Sequence, residues 1–405
     1  MKYLIIIFFC IITACSDAEK TSSPVLKHIP VKTAGSSAEP FLCTGPDGKV
    51  YLSWIEQKQD TNYLRFSTFN NDQWSEPQTI ASGTDWFVNW ADYPTLSADS
   101  RGNIVAHFLA MSGEGTYSYD VYLTHSNDNG KNWNAPYILH DDGKEAEHGF
   151  ASIMPYGENF FITWLDGRNA ADQTQHTGSG SEGHNMEHHG AMTIRAAVID
   201  PAGGKLNEWE LDDRVCDCCQ TTTAITANGP VVIYRDRSEE EIRDMSIVRL
   251  MDDSTWTAPQ PVHNDGWKIA GCPVNGPRAA SLGNNMAVAW FSAPEGNAQV
   301  KIAFSQDGGA SFTDPIRIDS AKTVGRVDVV MLNESTAVVS YMEGADIKVV
   351  KVSQNGTKSK AVLVSSSSEA RASGFPQMTK SGDHLIFAWT DNDKKEIKTA
   401  VLSKI

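Results

Sequence analysis

The residues best suited to chemistry in this sequence are thiols. Cys216, Cys218 and Cys219 follow one another closely in the segment DDRVCDCCQ, and Cys272 lies further along the chain. Clustered thiolates, alone or with imidazole, bind zinc or copper. Together with Cys43 they are the five cysteines that follow the N-terminal segment, which holds Cys10 and Cys15. Five is an odd number for disulfides. The spacing therefore leaves two interpretations open: a thiolate metal site, or one or two disulfides with Cys43 left over.

A second group of metal-ligand residues lies in an insertion after Arg168, which reads QHTGSGSEGHNMEHHGAM. Imidazole and thioether side chains together suit copper. The alternative is a solvated glycine-rich loop with adventitious affinity for metals. The candidate metal ligands of the whole chain are Cys216, Cys218, Cys219, Cys272, His184, Met186, His188 and His189.

The elements that must position these residues form a repeat. Each copy has a short strand, a turn with glycine or asparagine, and an alternating apolar strand that ends on an aromatic residue. A third and usually a fourth strand follow. The pattern predicts an all-β propeller of seven four-stranded blades, with six blades as the alternative if one repeat is misread. The terminal aromatic residues are Trp54, Phe108, Trp164, Tyr234, Trp290, Tyr341 and Trp389.

The seventh copy reaches the end of the sequence without a fourth strand. Residues 26–33, LKHIPVKT, read as a strand with no partner before the first copy. We expect this strand to complete the last blade, which would close the ring and cover its edges.

Two turns between third and fourth strands carry a sharper signature, SxDxGxx followed by an aromatic residue. The Asp carboxylate can accept backbone N–H bonds across its own turn, and glycine permits positive φ. These turns resemble the Asp boxes of the sialidase-like propeller superfamily, and the repeat resemblance covers nearly the whole mature chain. The matching residues are Ser126, Asp128, Gly130 and Trp133 in the first box and Ser305, Asp307, Gly309 and Phe312 in the second.

Strand order places the unusual polar loops on the face opposite the Asp boxes, where the resemblance implies an active site. A sialidase-like glycoside hydrolase needs arginines to hold a carboxylate, an acid for the leaving group, and a tyrosine activated by a carboxylate. The simpler interpretation is that the arginines and acids pair with one another across neighbouring loops. The candidates are Arg168, Arg235, Arg237 and Arg326 as clamps, Asp120, Asp236 and Glu147 as acids, and Tyr119 as nucleophile, with Arg243, Asp166 and Tyr234 as further possibilities.

The chain departs from the sialidase pattern in two places. Sialidases carry an Arg in an RIP-like motif near the start of the propeller, whereas this chain has HIP at positions 28–30. They also have six blades. These differences leave open a relative that acts on another acidic glycan.

The first residues predict export and a lipid anchor. Lys2 precedes an apolar run that is too short to span a bilayer, and the run ends in ITAC, which resembles a bacterial lipobox. We expect residues 1–14 to be a signal peptide, Cys15 to be lipidated, residues 15–25 to be a flexible tether and residues 26–405 to be a single propeller domain. Ser16 resembles the outer-membrane sorting signal, so the expected location is the outer membrane, facing the periplasm or the exterior, with lipid as the membrane attachment.

The formal charge of −16 disfavours nucleic acid as a partner. Two functions remain. The first is a sialidase-like glycoside hydrolase, which requires no cofactor and binds a glycan on the face opposite the Asp boxes. The second is a non-catalytic propeller that binds copper or zinc, a glycan or a protein. Convergence of three arginines would favour the first, and convergence of the cysteines without such a clamp would favour the second.

Overall fold

The computed structural model describes residues 24–171, 190–252, 254–320 and 322–404, and it is built from seven antiparallel sheets. Each sheet is one blade of a propeller, so the predicted all-β fold and its seven blades are confirmed. Within the described ranges, helical structure is confined to α1 (Arg168–Ala171) and the short 3-10 segments Pro294–Gly296 and Arg371–Ser373, and no helix is long and apolar enough to cross a membrane.

The first three blades follow the chain from the tether to the thiol-rich segment. Their strands are β2 (Ser37–Thr44), β3 (Val50–Lys58), β4 (Thr61–Asn70), β5 (Gln73–Trp74) and β6 (Gln78–Gly83) in the first blade; β7 (Leu96–Ala98), β8 (Ile104–Met111), β9 (Tyr119–Ser126) and β10 (Tyr137–Ile138) in the second; and β11 (His148–Tyr156), β12 (Asn159–Asp166), β13 (Thr193–Ile199) and β14 (Lys205–Asp212) in the third.

The next three blades have the same strand order. Their strands are β15 (Thr222–Thr226), β16 (Gly229–Arg235), β17 (Met245–Arg249) and β18 (Gln260–His263); β19 (Arg278–Leu282), β20 (Asn285–Ser292), β21 (Gln299–Ser305) and β22 (Ile316–Arg317); and β23 (Thr323–Asn333), β24 (Thr336–Glu343), β25 (Asp346–Ser353) and β26 (Val362–Ser366).

The last blade combines both ends of the chain. Its strands β27 (Gln377–Ser381), β28 (His384–Asp391) and β29 (Glu396–Ser403) are completed by β1 (Val25–Ile29), which pairs antiparallel with β29. The predicted closure is therefore confirmed, although the strand begins at Val25, the last residue assigned to the tether. Hydrogen bonds between the N-terminal strand β1 and the C-terminal strand β29 close the ring, and an apolar cluster joins the first and last blades. The predicted signal peptide and Cys15 lie outside the described residues.

The core is divided among the seven contacts between adjacent blades. One apolar cluster, for example, joins Tyr51 and Phe66 of the first blade to Leu96 and Ala106 of the second. Equivalent clusters occupy the other six contacts. All seven aromatic residues that end the second strands are buried, which explains why they recur in the sequence.

Both Asp-box turns have the geometry expected from their sequences. Gly130 is at φ 81° and its N–H donates to Ser126 Oγ at 2.9 Å, while Asp128 accepts the N–H of Asn132 at 2.9 Å. Trp133 packs edge-on against Phe66, with ring centroids 5.9 Å apart. The second box repeats these contacts with Gly309 donating to Ser305 Oγ, Asp307 accepting from Ser311, and Phe312 packing between blades four and five.

Candidate functional site

The side chains predicted for chemistry gather on the face opposite the Asp boxes. Tyr119 begins β9 and Asp166 ends β12, while the thiols lie on two links between blades. The link from β14 to β15 carries Cys216, Cys218 and Cys219, and the link from β18 to β19 carries Cys272. Propeller topology brings these loop ends together because second-to-third loops and blade links share one face.

Three sulfur atoms form what we call the thiol cluster, Cys216, Cys218 and Cys219. The Cys216 sulfur lies 3.5 Å from that of Cys219 and 3.9 Å from that of Cys218. Cys272 of the second link lies next to Cys218, outside the group of three sulfur atoms that lie within 4.8 Å of one another. The five cysteines of the described ranges are free thiols. Cys43 lies apart from the others, on the wall of the central channel.

Basic side chains surround the thiol cluster. Arg243 Nη1 donates to Cys216 Sγ at 3.2 Å, and Arg243 is itself buried. Hydrogen bonds from the neighbouring thiols, with the positive charge of Arg235 nearby, lower the pKa of Cys216 well below its usual value. A hydrogen bond from Cys218 lowers the pKa of Cys272 to about 7. The cluster therefore favours at least one thiolate at neutral pH.

The His- and Met-rich insertion begins and ends close to this face. Met192, at its end, accepts a backbone hydrogen bond of 2.8 Å from Val215, the residue before Cys216. The predicted ligands of the insertion, His184, Met186, His188 and His189, lie outside the described residues.

Tyr119 and Glu147, selected separately as nucleophile and acid, lie side by side in the structure. The Tyr119 hydroxyl lies 3.1 Å from Glu147 and 2.9 Å from Asp92, a carboxylate that sequence reasoning did not select. Burial raises the pKa of Asp92 to about 7 and that of Glu147 to about 8. Burial and the two carboxyls also raise the pKa of Tyr119 well above its usual value. An activated phenolate needs the opposite shift.

Tyr234, the other tyrosine considered, donates to Asp212 at 2.6 Å. Burial raises the pKa of Asp212 to about 6 and that of Tyr234 well above its usual value. Asp236 accepts from Ser246 Oγ at 2.8 Å and from the Arg237 backbone at 2.7 Å. These groups are joined to their own loops.

The four predicted clamp arginines are bonded to groups of the protein itself. Arg168 donates two hydrogen bonds of 2.7 Å to the Asp166 carboxylate. Arg237 pairs with Asp217 and Glu241. For these two side chains, therefore, the simpler interpretation applies, in which arginines and acids pair with one another.

Arg235 and Arg326 are buried and donate mainly to the backbone. Arg235 reaches the carbonyls of Arg243, Asn275 and Phe291. Arg326 donates to Ser373 Oγ and two carbonyls, and stacks over Trp90 with its guanidinium carbon 5.4 Å from the ring centroid. Both arginines tie neighbouring blades together.

Sequence reasoning overlooked a second polar assembly, which we call the imidazole cluster: Asp120, His140, Asp142 and His148. The rings of His140 and His148 stack in parallel, with centroids 3.6 Å apart. Asp142 contacts both rings, and Asp120, a predicted acid, faces them from β9. The signal was present in the loop HDDGKEAEHGF, where two histidines flank acidic residues, but only Glu147 was selected from it.

The first strands of the blades line a central channel with a cavity of about 280 Å³. Arg278, another residue not selected from the sequence, lies on its wall and donates to the Tyr93 hydroxyl. Burial acts to lower the pKa of Arg278, but its interactions with Tyr93 and with the nearby Asp328 raise that pKa above its usual value.

Comparison with known proteins supports the fold alone. No protein-family model and no curated protein matches the chain. Among solved structures, the polysaccharide lyase Uly1 superposes with a TM-score of 0.53 at 8% identity, over 93% of this chain and 92% of that one. An α-L-arabinanase from Penicillium chrysogenum gives 0.49 at 10% identity, over 95% and 99% of the two chains. A variant of NanB sialidase from Streptococcus pneumoniae gives 0.45 at 11% identity, over 93% and 70%. The chain is similar to these propellers in architecture, and the function must be argued from its own residues.

Proposed function

We propose that this protein is an exported, lipid-anchored propeller that holds a soft metal ion with Cys216, Cys218, Cys219 and Cys272. The observation that carries the proposal is the close approach of three sulfur atoms in the first link, at 3.5 and 3.9 Å from Cys216, with Cys272 of the second link next to Cys218. Metal–sulfur bonds of about 2.3 Å in a tetrahedral site place sulfur atoms about 3.8 Å apart. The spacing of the sulfur atoms thus suits their binding to one shared metal ion.

The charges around the cluster also suit a thiolate centre. Several thiolates on one metal ion carry excess negative charge, which is costly in a buried position unless cations lie close by. Arg243 touches the Cys216 sulfur, and Arg235 contributes positive charge. Their positions give the arginines of this face a role other than holding a substrate carboxylate.

Copper(I) is the metal we favour, with zinc as the alternative. Thiolates accept both ions, whereas the thioether and imidazole groups of the insertion suit copper. The backbone pairing of Met192 with Val215 ties the end of that insertion to the residue next to Cys216. In the oxidising compartment that the N-terminal segment predicts, a bound metal would also protect closely spaced thiols from forming disulfides.

Elemental analysis of the processed protein, extracted from the membrane in detergent and dialysed, tests the proposal. We expect one equivalent of copper or zinc per chain at the thiol cluster, measured as the difference in bound metal between the wild type and the Cys216→Ser/Cys219→Ser variant. Cys43→Ser is the matched control, because it makes the same chemical change in the channel wall and should retain the metal.

A thiol count on the denatured protein gives the decisive alternative. No difference in bound metal between the wild type and the Cys216→Ser/Cys219→Ser variant, together with missing free thiols, would show that the cysteines form disulfides, and the thiol-site proposal would be wrong.

The Tyr119–Glu147 pair favours a second candidate, a glycoside hydrolase acting on acidic glycans. A tyrosine beside a carboxylate is the arrangement that the sialidase hypothesis required, and here the atoms lie 3.1 Å apart. The test is release of fluorophore from a sialoside and of sugar from acidic polysaccharides. Tyr119→Phe should abolish turnover, whereas Tyr122→Phe, on the same strand, should not. No turnover by the wild-type protein on these substrates would remove this candidate.

A further inference from the structure

The imidazole cluster contains three buried polar atoms that face one another without hydrogen-bond partners in the described part of the chain. They are Nε2 of His140, Nδ1 of His148 and Oδ1 of Asp120. The Asp120 oxygen lies 3.4 Å from the first nitrogen and 3.6 Å from the second. Each of the three residues is less than a tenth exposed. Leaving such atoms unpaired is costly, so their convergence calls for a ligand.

The other ring nitrogens show which atoms carry protons. Asp142 Oδ1 lies 3.1 Å from His140 Nδ1, and Asp142 Oδ2 lies 2.9 Å from His148 Nε2. A carboxylate in this position accepts N–H bonds from both rings, which leaves the opposite nitrogens as lone pairs. The three acceptor atoms lie within 4.8 Å of one another, although the stacked rings direct the two nitrogen lone pairs in parallel.

Protons resolve this arrangement only in part. Against the effect of burial, the interaction with Asp120 and the charge of Asp166 raise the pKa of His148. A proton on His148 Nδ1 nevertheless leaves His140 Nε2 without a hydrogen-bond partner among the described residues. Two parallel imidazole rings 3.6 Å apart repel one another if both are charged. The contacts of Asp120 with the rings also lack hydrogen-bond geometry. A metal ion between the three atoms would satisfy all of them at once.

The separations of the donor atoms suit a zinc-class site, and binding requires the two rings to turn out of their stacked arrangement. Zinc bonds of about 2.0–2.1 Å place tetrahedral ligand atoms about 3.3 Å apart, close to the two separations from Asp120. Asp142 then orients both ligand rings through their far nitrogens, as carboxylates do in metal sites. Arg168 contacts Asp142 in turn, with 3.2 Å between Nε and Oδ2.

A neighbouring arrangement of Asp142, His148 and Asp166 is less suitable for a cation. Arg168 donates two bonds to Asp166 there, so its positive charge already occupies the position. On the other side, Asp120 and His140 line a cavity of about 380 Å³. Water and ions can therefore reach the favoured group of atoms.

We propose that His140 Nε2, His148 Nδ1 and Asp120 Oδ1 bind a divalent zinc-class ion, with water completing its coordination from this cavity. This site uses nitrogen and oxygen donors and does not depend on the thiol cluster. Binding requires neutral imidazoles and an ionised carboxylate, so uptake releases any protons they hold.

Zinc binding is best measured by equilibrium dialysis on the full chain in detergent, in the Cys216→Ser/Cys219→Ser background. We expect one zinc per chain. Asp120→Asn and His140→Gln should abolish it, and Asp142→Asn should weaken it about 10- to 100-fold. His384→Ala, which changes an exposed histidine, is the matched control and should bind as before. Zinc binding unaffected by Asp120→Asn, or no zinc binding at all in this background, would overturn the proposal.

Cobalt spectra of the wild-type protein provide a measurement that does not depend on the folding of any variant. Cobalt in this site should give visible bands without sulfur-to-metal charge transfer, whereas cobalt in the thiol cluster should give that charge transfer. Charge-transfer bands alone would contradict the imidazole site and leave the thiol site standing. Visible bands without charge transfer would do the reverse.

Discussion

The two faces of the propeller use carboxylates in opposite ways. On the Asp-box face, Asp128 accepts bonds from its own turn, chiefly from Asn132, and these lower its pKa to about 2. On the other face, burial raises the pKa of Glu147 to about 8 and that of Asp92 to about 7. A carboxylate on the Asp-box face is charged and hydrogen-bonded within its own turn, whereas the carboxyls on the opposite face are poorly solvated.

This difference separates structural from functional chemistry. An Asp-box carboxylate has its acceptor positions filled by local backbone and side-chain donors, so it has little capacity left for a ligand. On the opposite face, Asp120 Oδ1 and the near nitrogens of His140 and His148 lack such donors in the described ranges. Raised carboxyl pKa values and unpaired atoms of this kind are typical of sites that bind or react.

The largest expected effect concerns an arginine on the face opposite the Asp boxes. Its hydrogen bonds to backbone carbonyls predict that it stabilises the fold and does not bind a ligand. Arg235→Met removes donors to the carbonyls of Arg243, Asn275 and Phe291. We expect the free energy of unfolding, measured with urea, to fall by about 3–5 kcal/mol.

The matched variant is Arg237→Gln, whose partners are the half-buried Asp217 and Glu241. It should cost no more than about 1 kcal/mol, since part-exposed pairs contribute little. If Arg235→Met is nearly neutral in stability but abolishes turnover of a carboxylated substrate, Arg235 is a binding residue and the contrast fails.

The second test is the pH dependence of stability at Glu147. The folded pKa of about 8 lies above the ordinary value of 4.5, so the folded protein binds the extra proton. The stability that the protonated Glu147 carboxyl allows is fully present below about pH 4.5. It is lost as the pH rises toward 8, where the buried carboxyl ionises. Glu147→Gln should remove that loss, making the variant more stable than the wild type at pH 8.5 by on the order of 3 kcal/mol.

Urea unfolding at pH 5 and pH 8.5 measures the change in both proteins. Glu114→Gln, an exposed change in a nearby loop, should follow the wild type at both values. Parallel pH profiles for the wild type and Glu147→Gln would show that the Glu147 carboxyl is not poorly solvated.

A third, smaller effect concerns the Asp-box glycine. Gly130→Ala places a Cβ about where the Phe66 ring lies, since the ideal position is 2.5 Å from the Phe66 Cζ. Gly48 has nearly the same φ, 80° against 81°, but open space around it. Gly48→Ala should cost about 1 kcal/mol from backbone strain alone, and Gly130→Ala about 1–3 kcal/mol more. Equal losses of stability for Gly48→Ala and Gly130→Ala in thermal unfolding would show that the Phe66 ring moves aside at little cost.

The smallest effect is the acid dependence of the second box. Hydrogen bonds from Ser311 and Ser305 lower the pKa of Asp307, so its contribution to stability is present at neutral pH and is lost as the pH falls through the lowered value. Asp307→Asn should reduce the free energy of unfolding by less than about 1 kcal/mol at pH 6, and this difference should vanish in strong acid. A difference that persists at pH 2 would mean that the charge is not its cause.

Local features of the chain were predictable because their causes are local. The Asp boxes bond within their own turns, and the aromatic residue at each strand end marks a buried position, as Trp164 and Trp290 show. The unpaired strand at residues 26–33 predicted closure because the last blade lacked its fourth strand. The meeting of Cys218 with Cys272 followed from equivalent positions in adjacent blades.

Other features depended on contacts that no short segment contains. Whether Arg235 faced a ligand or three carbonyls was decided by loops from blades four and five. The imidazole cluster needed Asp120 from β9 to meet His140 and His148 from a later loop.

The sequence alone therefore determined the repeat, the closing strand and the face on which polar residues gather, and it predicted seven blades with six as the alternative. These depend on periodicity and on turns a few residues long. Only the tertiary structure decided which polar atoms are paired and which are left unpaired, because hydrogen-bond partners come from several blades and small differences in direction separate a bond from a vacant acceptor.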